Sequence, residues 1–224
     1  MEFTLLWAAL TAVVSIWIAA RIWKDRLPKH TTDRVVGAAA LGMLAGRLVA
    51  MVLQGVNPLT NPGDILLVRG GVHTGAATLG AIAAFLWSGK GNVRDLDPAA
   101  PVALIGLAGW QAGCLWRGGC LGTASSLPWA WSEAGSSITR HPTELYAAMG
   151  MLAAAWLVHR LPERLLLRAG SALALAALVR LLSEPVRLSL TGGPWTWYLA
   201  GIVLGGLVAW QGDRLVGRRV SPPT

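Results

Sequence analysis

Apolar runs of about 18 residues or more follow one another along almost the whole of this 224-residue sequence, separated by short connections. A helical run of that length matches the ~30 Å hydrocarbon core of a bilayer. No water is available there for an open backbone, so only helices or a closed β-barrel can cross. Barrel strands alternate apolar and polar residues, and these runs do not alternate. The chain is therefore read as an all-α integral membrane protein with seven transmembrane helices, at about 3–23, 35–56, 72–89, 98–118, 142–159, 165–186 and 195–212. Residues 1–224 form a single transmembrane domain, with longer loops rich in Gly, Pro, Asn and Ser at about 57–71 and 117–141. With 54% hydrophobic and 13% charged residues, the composition belongs to membrane proteins. No internal repeat is evident, which counts against a transporter built from inverted halves.

Charge sets the orientation. Arg21, Lys24, Arg26, Lys29, Arg34, Lys90, Arg94, Arg160, Arg164, Arg168, Arg214, Arg218 and Arg219 fall at one set of span ends; Arg69, Arg117, Arg140 and Arg187 fall at the other. The richer set is cytoplasmic by the positive-inside rule, which puts the N-terminus and both long loops outside and the C-terminus in the cytoplasm. The same loop placement accounts for the net charge of +8 without nucleic acid. Ten of the twelve tryptophans lie near span ends, as interfacial anchors do. The first run carries Glu2 and no basic n-region, so it reads as a span and not as a cleaved signal. Cys114 and Cys120 are too few for a disulfide framework; a single bridge between them stays open, and small apolar filler is the favoured reading.

Two arginines, Arg47 and Arg180, sit inside these apolar runs. A guanidinium at membrane depth costs about 2.5–3.5 kcal/mol on insertion scales, so each is expected to face protein, water or an anion. Arg180, Glu184 and Arg187 are spaced i, i+4, i+7, which predicts one helical face with Glu184 orienting two arginines toward a phosphate. The blander reading is a salt bridge that lets buried charges share the membrane. In Arg140-His141-Pro142-Thr143-Glu144-Leu145-Tyr146, Pro142 suits a first helical turn, and His141 and Glu144 are close enough to touch. Gly113 and Gly118 lie in a glycine-dense span end, where backbone can approach a ligand or another helix. Gly70, Gly71 and His73 open the third span. His141 and Glu144 lack further ligands at metal spacing, so neither a metal nor another cofactor is expected. Arginines 47, 117, 140, 180 and 187 against Glu144 and Glu184 predict a net-positive cavity for an anionic lipid headgroup.

These motifs resemble the prolipoprotein diacylglyceryl transferase family of seven-span bacterial inner-membrane enzymes. The segment Arg140–Tyr146 is similar to its His-Pro-Ser/Thr-Gln-Leu-Tyr-Glu motif, with Glu144 at the glutamine and Ala147 at the glutamate. Arg180, Glu184 and Arg187 match its Arg-x3-Glu-x2-Arg pattern; Gly46-Arg47-Leu48 resembles its Gly-Ala-Arg-Leu, and Gly70-Gly71 its Gly-Gly. In the family's glycine-rich signature, Gln111 stands at an arginine position, Cys114 at an asparagine and Gly119 at the acid; the family's histidine falls on Gly75, two residues after His73.

The resemblance implies transfer of a diacylglyceryl group from phosphatidylglycerol to the lipobox cysteine of a preprolipoprotein signal peptide, in the bacterial cytoplasmic membrane. On that basis His141, Arg180, Glu184 and His73 are the expected catalytic residues, with His141 ahead of His73 as acceptor of the thiol proton. Arg47, Arg140, Glu144, Tyr146, Arg187, Gly70, Gly71, Gly113 and Gly118 are the expected substrate-binding residues. Two alternatives are a lipid-binding paralogue without turnover and a small anion transporter. The transporter is disfavoured, since no polar lining continues toward the cytoplasmic ends.

Overall fold

The computed structural model describes residues 4–66, 71–117, 120–133, 135–162, 164–188 and 193–217. It is all-helical apart from one small hairpin. In chain order it contains α1 (Thr4–Ile22), α2 (Thr31–Leu53), the single turn α3 (Gly63–Leu66), α4 (Thr74–Ser88), α5 (Leu96–Ala112), the single turn α6 (Cys114–Arg117), β1 (Trp131–Ser132), β2 (Thr139–Arg140), α7 (Thr143–Arg160), α8 (Leu167–Ser183) and α9 (Trp195–Gly217). The seven longer helices among the described residues fall on the seven apolar stretches read from the sequence. Among the described residues two helical stretches, Thr31–Leu53 and Leu167–Val186, are long and apolar enough by themselves to cross a membrane.

The distribution of side chains is inverted relative to a soluble bundle. On α7 the residues facing inward are mostly small, namely Ala147, Ala148, Ala154 and Ala155, while Met149, Leu152, Trp156 and Leu157 face outward. Trp7 and Trp17 on α1 and Leu204 and Trp210 on α9 are also outside. Small residues within and large apolar residues without is the pattern of helices that pack by close backbone approach in an apolar solvent.

The chain forms two compact units. One comprises residues 1–27 and 96–224 and holds α1 and α5–α9. Its core lies between α5, α7 and α8, around Leu104, Ala108, Met151, Ala155, Val158 and Ala172. Helix α1 docks on α5, where Thr11 Oγ1 donates to the Gly109 carbonyl at 2.9 Å. Asp97, buried in the first turn of α5, accepts the backbone N–H groups of Leu166 and Ala169 at 2.6 and 2.9 Å. It thereby satisfies donors that the start of α8 would otherwise leave orphaned.

The second unit is residues 28–95, with α2, α3 and α4. Helices α2 and α4 touch at backbone distance: a Cβ on Gly42 would lie 2.6 Å from the Ala77 carbonyl oxygen. Arg34 closes this unit, with Nη1 donating to Asp95 at 2.6 Å and the guanidinium lying 4.2 Å from the centre of the Phe85 ring.

Candidate functional site

Three chain segments of the larger unit deliver polar groups to one end of its bundle: the last turn of α5, the first turn of α7 and the end of α8. Gln111, Glu144 and Arg180 are helical, and Arg187 follows a break in the helix pattern. Pro185 cannot donate to the i−4 carbonyl, so the α-helical ladder of α8 stops at Ser183 and Glu184–Val186 tighten into a 3₁₀ turn. Arg187 follows in extended conformation. The single helical face expected for Arg180, Glu184 and Arg187 therefore breaks after its first member.

Glu144 takes the central place that the spacing had assigned to Glu184. It is buried, and its Oε2 accepts from Arg180 Nη1 at 3.3 Å. Its Oε1 accepts from Arg187 Nε at 3.0 Å and Nη2 at 2.8 Å. Gln111, buried at the end of α5, completes the cluster. With its amide oriented to satisfy its neighbours, the nitrogen donates to Glu144 Oε2 and the oxygen accepts from Arg180 Nη1 at 3.0 Å. Arg180 thus spends Nη1 on Glu144 and Gln111, while Nε and Nη2 have no acceptor among the described residues. That unspent edge is the one that grips a carboxylate or phosphate bidentately.

Glu184 is buried beside this cluster and neither of its carboxylate oxygens has a hydrogen-bond partner among the described residues. Its nearest ion-pair contact is Arg187 Nη1 at 3.8 Å. Formal charges among Glu144, Glu184, Arg180 and Arg187 cancel. Of the arginines expected to line an anion cavity, Arg180 and Arg187 meet Glu144, and the anion-binding capacity of this cluster lies in unspent arginine donors.

A strip of backbone at residues 122–123 ties two of these segments together, the start of α7 and the end of α8. Gly122 N–H donates to the His141 carbonyl at 2.8 Å, His141 N–H to the Thr123 carbonyl at 3.0 Å, and Thr123 N–H to the Val186 carbonyl at 2.9 Å. Thr143 Oγ1 donates to that same Val186 carbonyl at 3.0 Å. Gly122 admits no side chain, since a Cβ there would overlap both the Val186 carbonyl and Thr143 Oγ1. Arg140 Nη1 donates to the Gly122 carbonyl at 3.2 Å.

Among the described residues no hydrogen bond joins His141 to Glu144. His141 precedes the helix, its backbone is tied to residues 122 and 123, and Pro142 occupies the cap, so helical i, i+3 geometry does not apply. Its Nδ1 lies 3.5 Å from Tyr146 Oη, and that hydroxyl accepts from Trp129 Nε1 at 2.8 Å.

Gly113 is a packing residue: a Cβ there would lie 2.5 Å from Ala8 Cα on α1. Gly70 and Gly118 lie outside the described residues. Cys114 and Cys120 are joined in a disulfide and are not independent filler, which corrects the sequence reading. Sequence reasoning also missed Gln111 as a participant. Its signal was an amide inside an apolar span, a residue type that crosses between membrane helices by hydrogen bonding.

The other predicted residues belong to the smaller unit. Arg47 is buried and donates through Nε and Nη2 to the Asp64 carbonyl, at 3.0 and 2.8 Å, and through Nη1 to the Gly71 carbonyl at 3.1 Å. Gly71 adopts a left-handed φ of 78°. His73 caps α4, its Nδ1 accepting from the Ala76 N–H at 3.1 Å.

The model of the family described as prolipoprotein diacylglyceryl transferase matches residues 3–211. The chain belongs to the prolipoprotein diacylglyceryl transferase family. A relative from Cupriavidus necator, named phosphatidylglycerol–prolipoprotein diacylglyceryl transferase, is 30% identical over 92% of this chain and 83% of its own length. Relatives of the same name from Ruegeria pomeroyi and Chlamydia trachomatis are 32% and 28% identical, over 71% and 72% of this chain; each match spans 66% of the relative. Within this transferase-family chain, the matched region includes every element that supplies the polar cluster.

Proposed function

We propose that this chain is a phosphatidylglycerol–prolipoprotein diacylglyceryl transferase, acting on the outer face of the bacterial cytoplasmic membrane as a single seven-span domain with its N-terminus outside. The observation that carries the reading is Arg180: anchored through Nη1 to Glu144 and Gln111, with its Nε and Nη2 edge unspent. A guanidinium held in this way suits a phosphate diester, and its orientation is set before the lipid arrives. The relatives' names supply the two substrates. The Cys114–Cys120 disulfide supports an outer placement, since such bonds persist in oxidising compartments.

In the proposed reaction the lipobox cysteine sulfur attacks the glyceryl carbon that bears the phosphate. A C–S bond forms, the C–O bond breaks, and glycerol phosphate leaves with the electron pair. Arg180 and Arg187 hold the phosphate and stabilise the departing charge. His141, aligned by Tyr146, takes the thiol proton, since the thiolate is the nucleophile. Arg140 braces the Gly122 backbone and Arg47 braces its own loop at residues 64 and 71. No metal or other cofactor takes part in this scheme.

The test is to supply the membrane-embedded protein with radiolabelled phosphatidylglycerol and a lipobox peptide. Label is expected on the peptide through a thioether stable to base. Lipid bound without any thioether would overturn the proposal and leave the lipid-binding paralogue.

A further inference from the structure

The Cys114–Cys120 bond joins two pieces of chain on which the anion site depends. Cys114 opens α6, directly after the end of α5 that carries Gln111. Cys120 opens the backbone strip that runs between α7 and the end of α8. Its carbonyl accepts the Glu144 N–H at 3.3 Å, and residues 122 and 123 bond to His141 and Val186. Both cysteines are buried, at 0% and 6% exposure, so the bond is part of the packed interior and not a surface staple.

We infer that the Cys114–Cys120 disulfide is a positioning element of the lipid-phosphate site: it fixes the Cys120–Thr123 strip and, through it, the Glu144 carboxylate that orients Arg180 and Arg187. The inference rests on the transferase reading above. General stabilisation is the weaker explanation, because in the chain-entropy account a cross-link contributes least when the loop is short, and here the cysteines are six residues apart. A short bridge instead sets local geometry. Its position also links the site to compartment: it assembles fully only where the bond can form. Reduction by an external dithiol delivers two electrons and two protons, cleaves S–S to two thiols and turns the dithiol into its own disulfide.

The experiment compares three forms of the full-length protein in membranes: oxidised wild type, wild type reduced with dithiothreitol until alkylation of both thiols is complete by mass, and the Cys114→Ala/Cys120→Ala variant. Cleavage should raise KM for phosphatidylglycerol about ten-fold, the loss expected for one charge-assisted hydrogen bond. It should leave kcat within a factor of about two, because both guanidinium groups remain to stabilise the departing charge and only their hold on the incoming lipid loosens. Reoxidation before alkylation should restore the original KM, and the double variant should have the high KM and ignore the reductant. An unchanged KM overturns the inference, as does a loss of kcat and Tm together at constant KM, which is the mark of a fold staple. The reduced wild type reads the same quantity where the variant does not fold. An oxidised wild type that makes no thioether fails the transferase reading instead, so the two failures are distinct.

Discussion

Arg47 and Arg180 present the same signal in the sequence, a guanidinium inside an apolar run, and the two units of the molecule use it in opposite ways. In the smaller unit Arg47 distributes Nε, Nη1 and Nη2 over the carbonyls of Asp64 and Gly71. It satisfies two carbonyls that would otherwise lack donors in an apolar setting. In the larger unit Arg180 meets a carboxylate and an amide through one nitrogen and keeps the other edge of its fork unspent. An arginine inside an apolar run therefore marks a place where polar groups must be satisfied; only its partners decide whether the place is scaffold or site. Backbone carbonyls consume donors, whereas a carboxylate at one nitrogen aims the remaining donors elsewhere.

The largest expected effect separates the two arginines directly. Arg180→Ala should lower diacylglyceryl transfer by at least about 10²-fold, the scale for removing a preorganised charge at the departing oxygen. Arg180→Lys should recover little, because a point charge cannot reproduce the bidentate edge. Full turnover in Arg180→Ala would place the phosphate elsewhere. Glu144 comes next. Glu144→Ala leaves two guanidinium groups facing each other and should cost about 3 kcal/mol in unfolding experiments, toward the lower end for broken buried pairs because Arg187 is a third exposed. Glu144→Gln keeps an acceptor and the shape, so its loss should be smaller in stability and larger in KM. Equal behaviour of the two variants would show that the carboxylate charge does not aim the arginines.

Arg47→Met gives the mirror image of Arg180→Ala. The carbonyls of Asp64 and Gly71 lose their donors, for a cost of about 1–3 kcal/mol, while KM for phosphatidylglycerol stays unchanged. Thermal unfolding and lipid titration on the same preparation check both halves. A raised KM at unchanged Tm would make Arg47 a binding residue, and the contrast between the two units would fail.

The helices were legible because their signal is repetitive: long apolar runs punctuated by basic loops fix where helices start and stop, even where, as at Ala112, the helix ends before the apolar run does. Much of the site's membership was legible too, since charge in an apolar run is conspicuous; Glu144, Arg180 and Arg187 do meet. Their connectivity was not. Spacing along one helix favoured Glu184 as partner, but Pro185 ends the helix and turns the choice over to α7. Glu144 wins through tertiary placement, which no periodicity records. Gly122 and the Val186 carbonyl were invisible for a related reason: their roles are backbone hydrogen bonds between segments far apart in sequence. The disulfide was left open because two cysteines six residues apart satisfy either reading until the intervening chain has a shape.

The smallest expected effect tests the histidines along the same divide. His73 Nδ1 accepts the Ala76 N–H and so acts as the cap of α4. His73→Ala should cost about 1 kcal/mol, the usual value of a lost N-cap, with the transfer rate unchanged. His73→Asn should recover most of that, since asparagine is among the best capping residues. His141, whose Nδ1 faces the Tyr146 hydroxyl at 3.5 Å, has no cap to lose. His141→Asn should leave Tm nearly in place while slowing transfer, and the loss should shrink as pH rises and the acceptor thiol ionises unaided. A His73→Asn variant that folds normally but fails to transfer would reverse the assignment: the proton acceptor would then belong to the smaller unit, and Arg47 would need to be reconsidered with it.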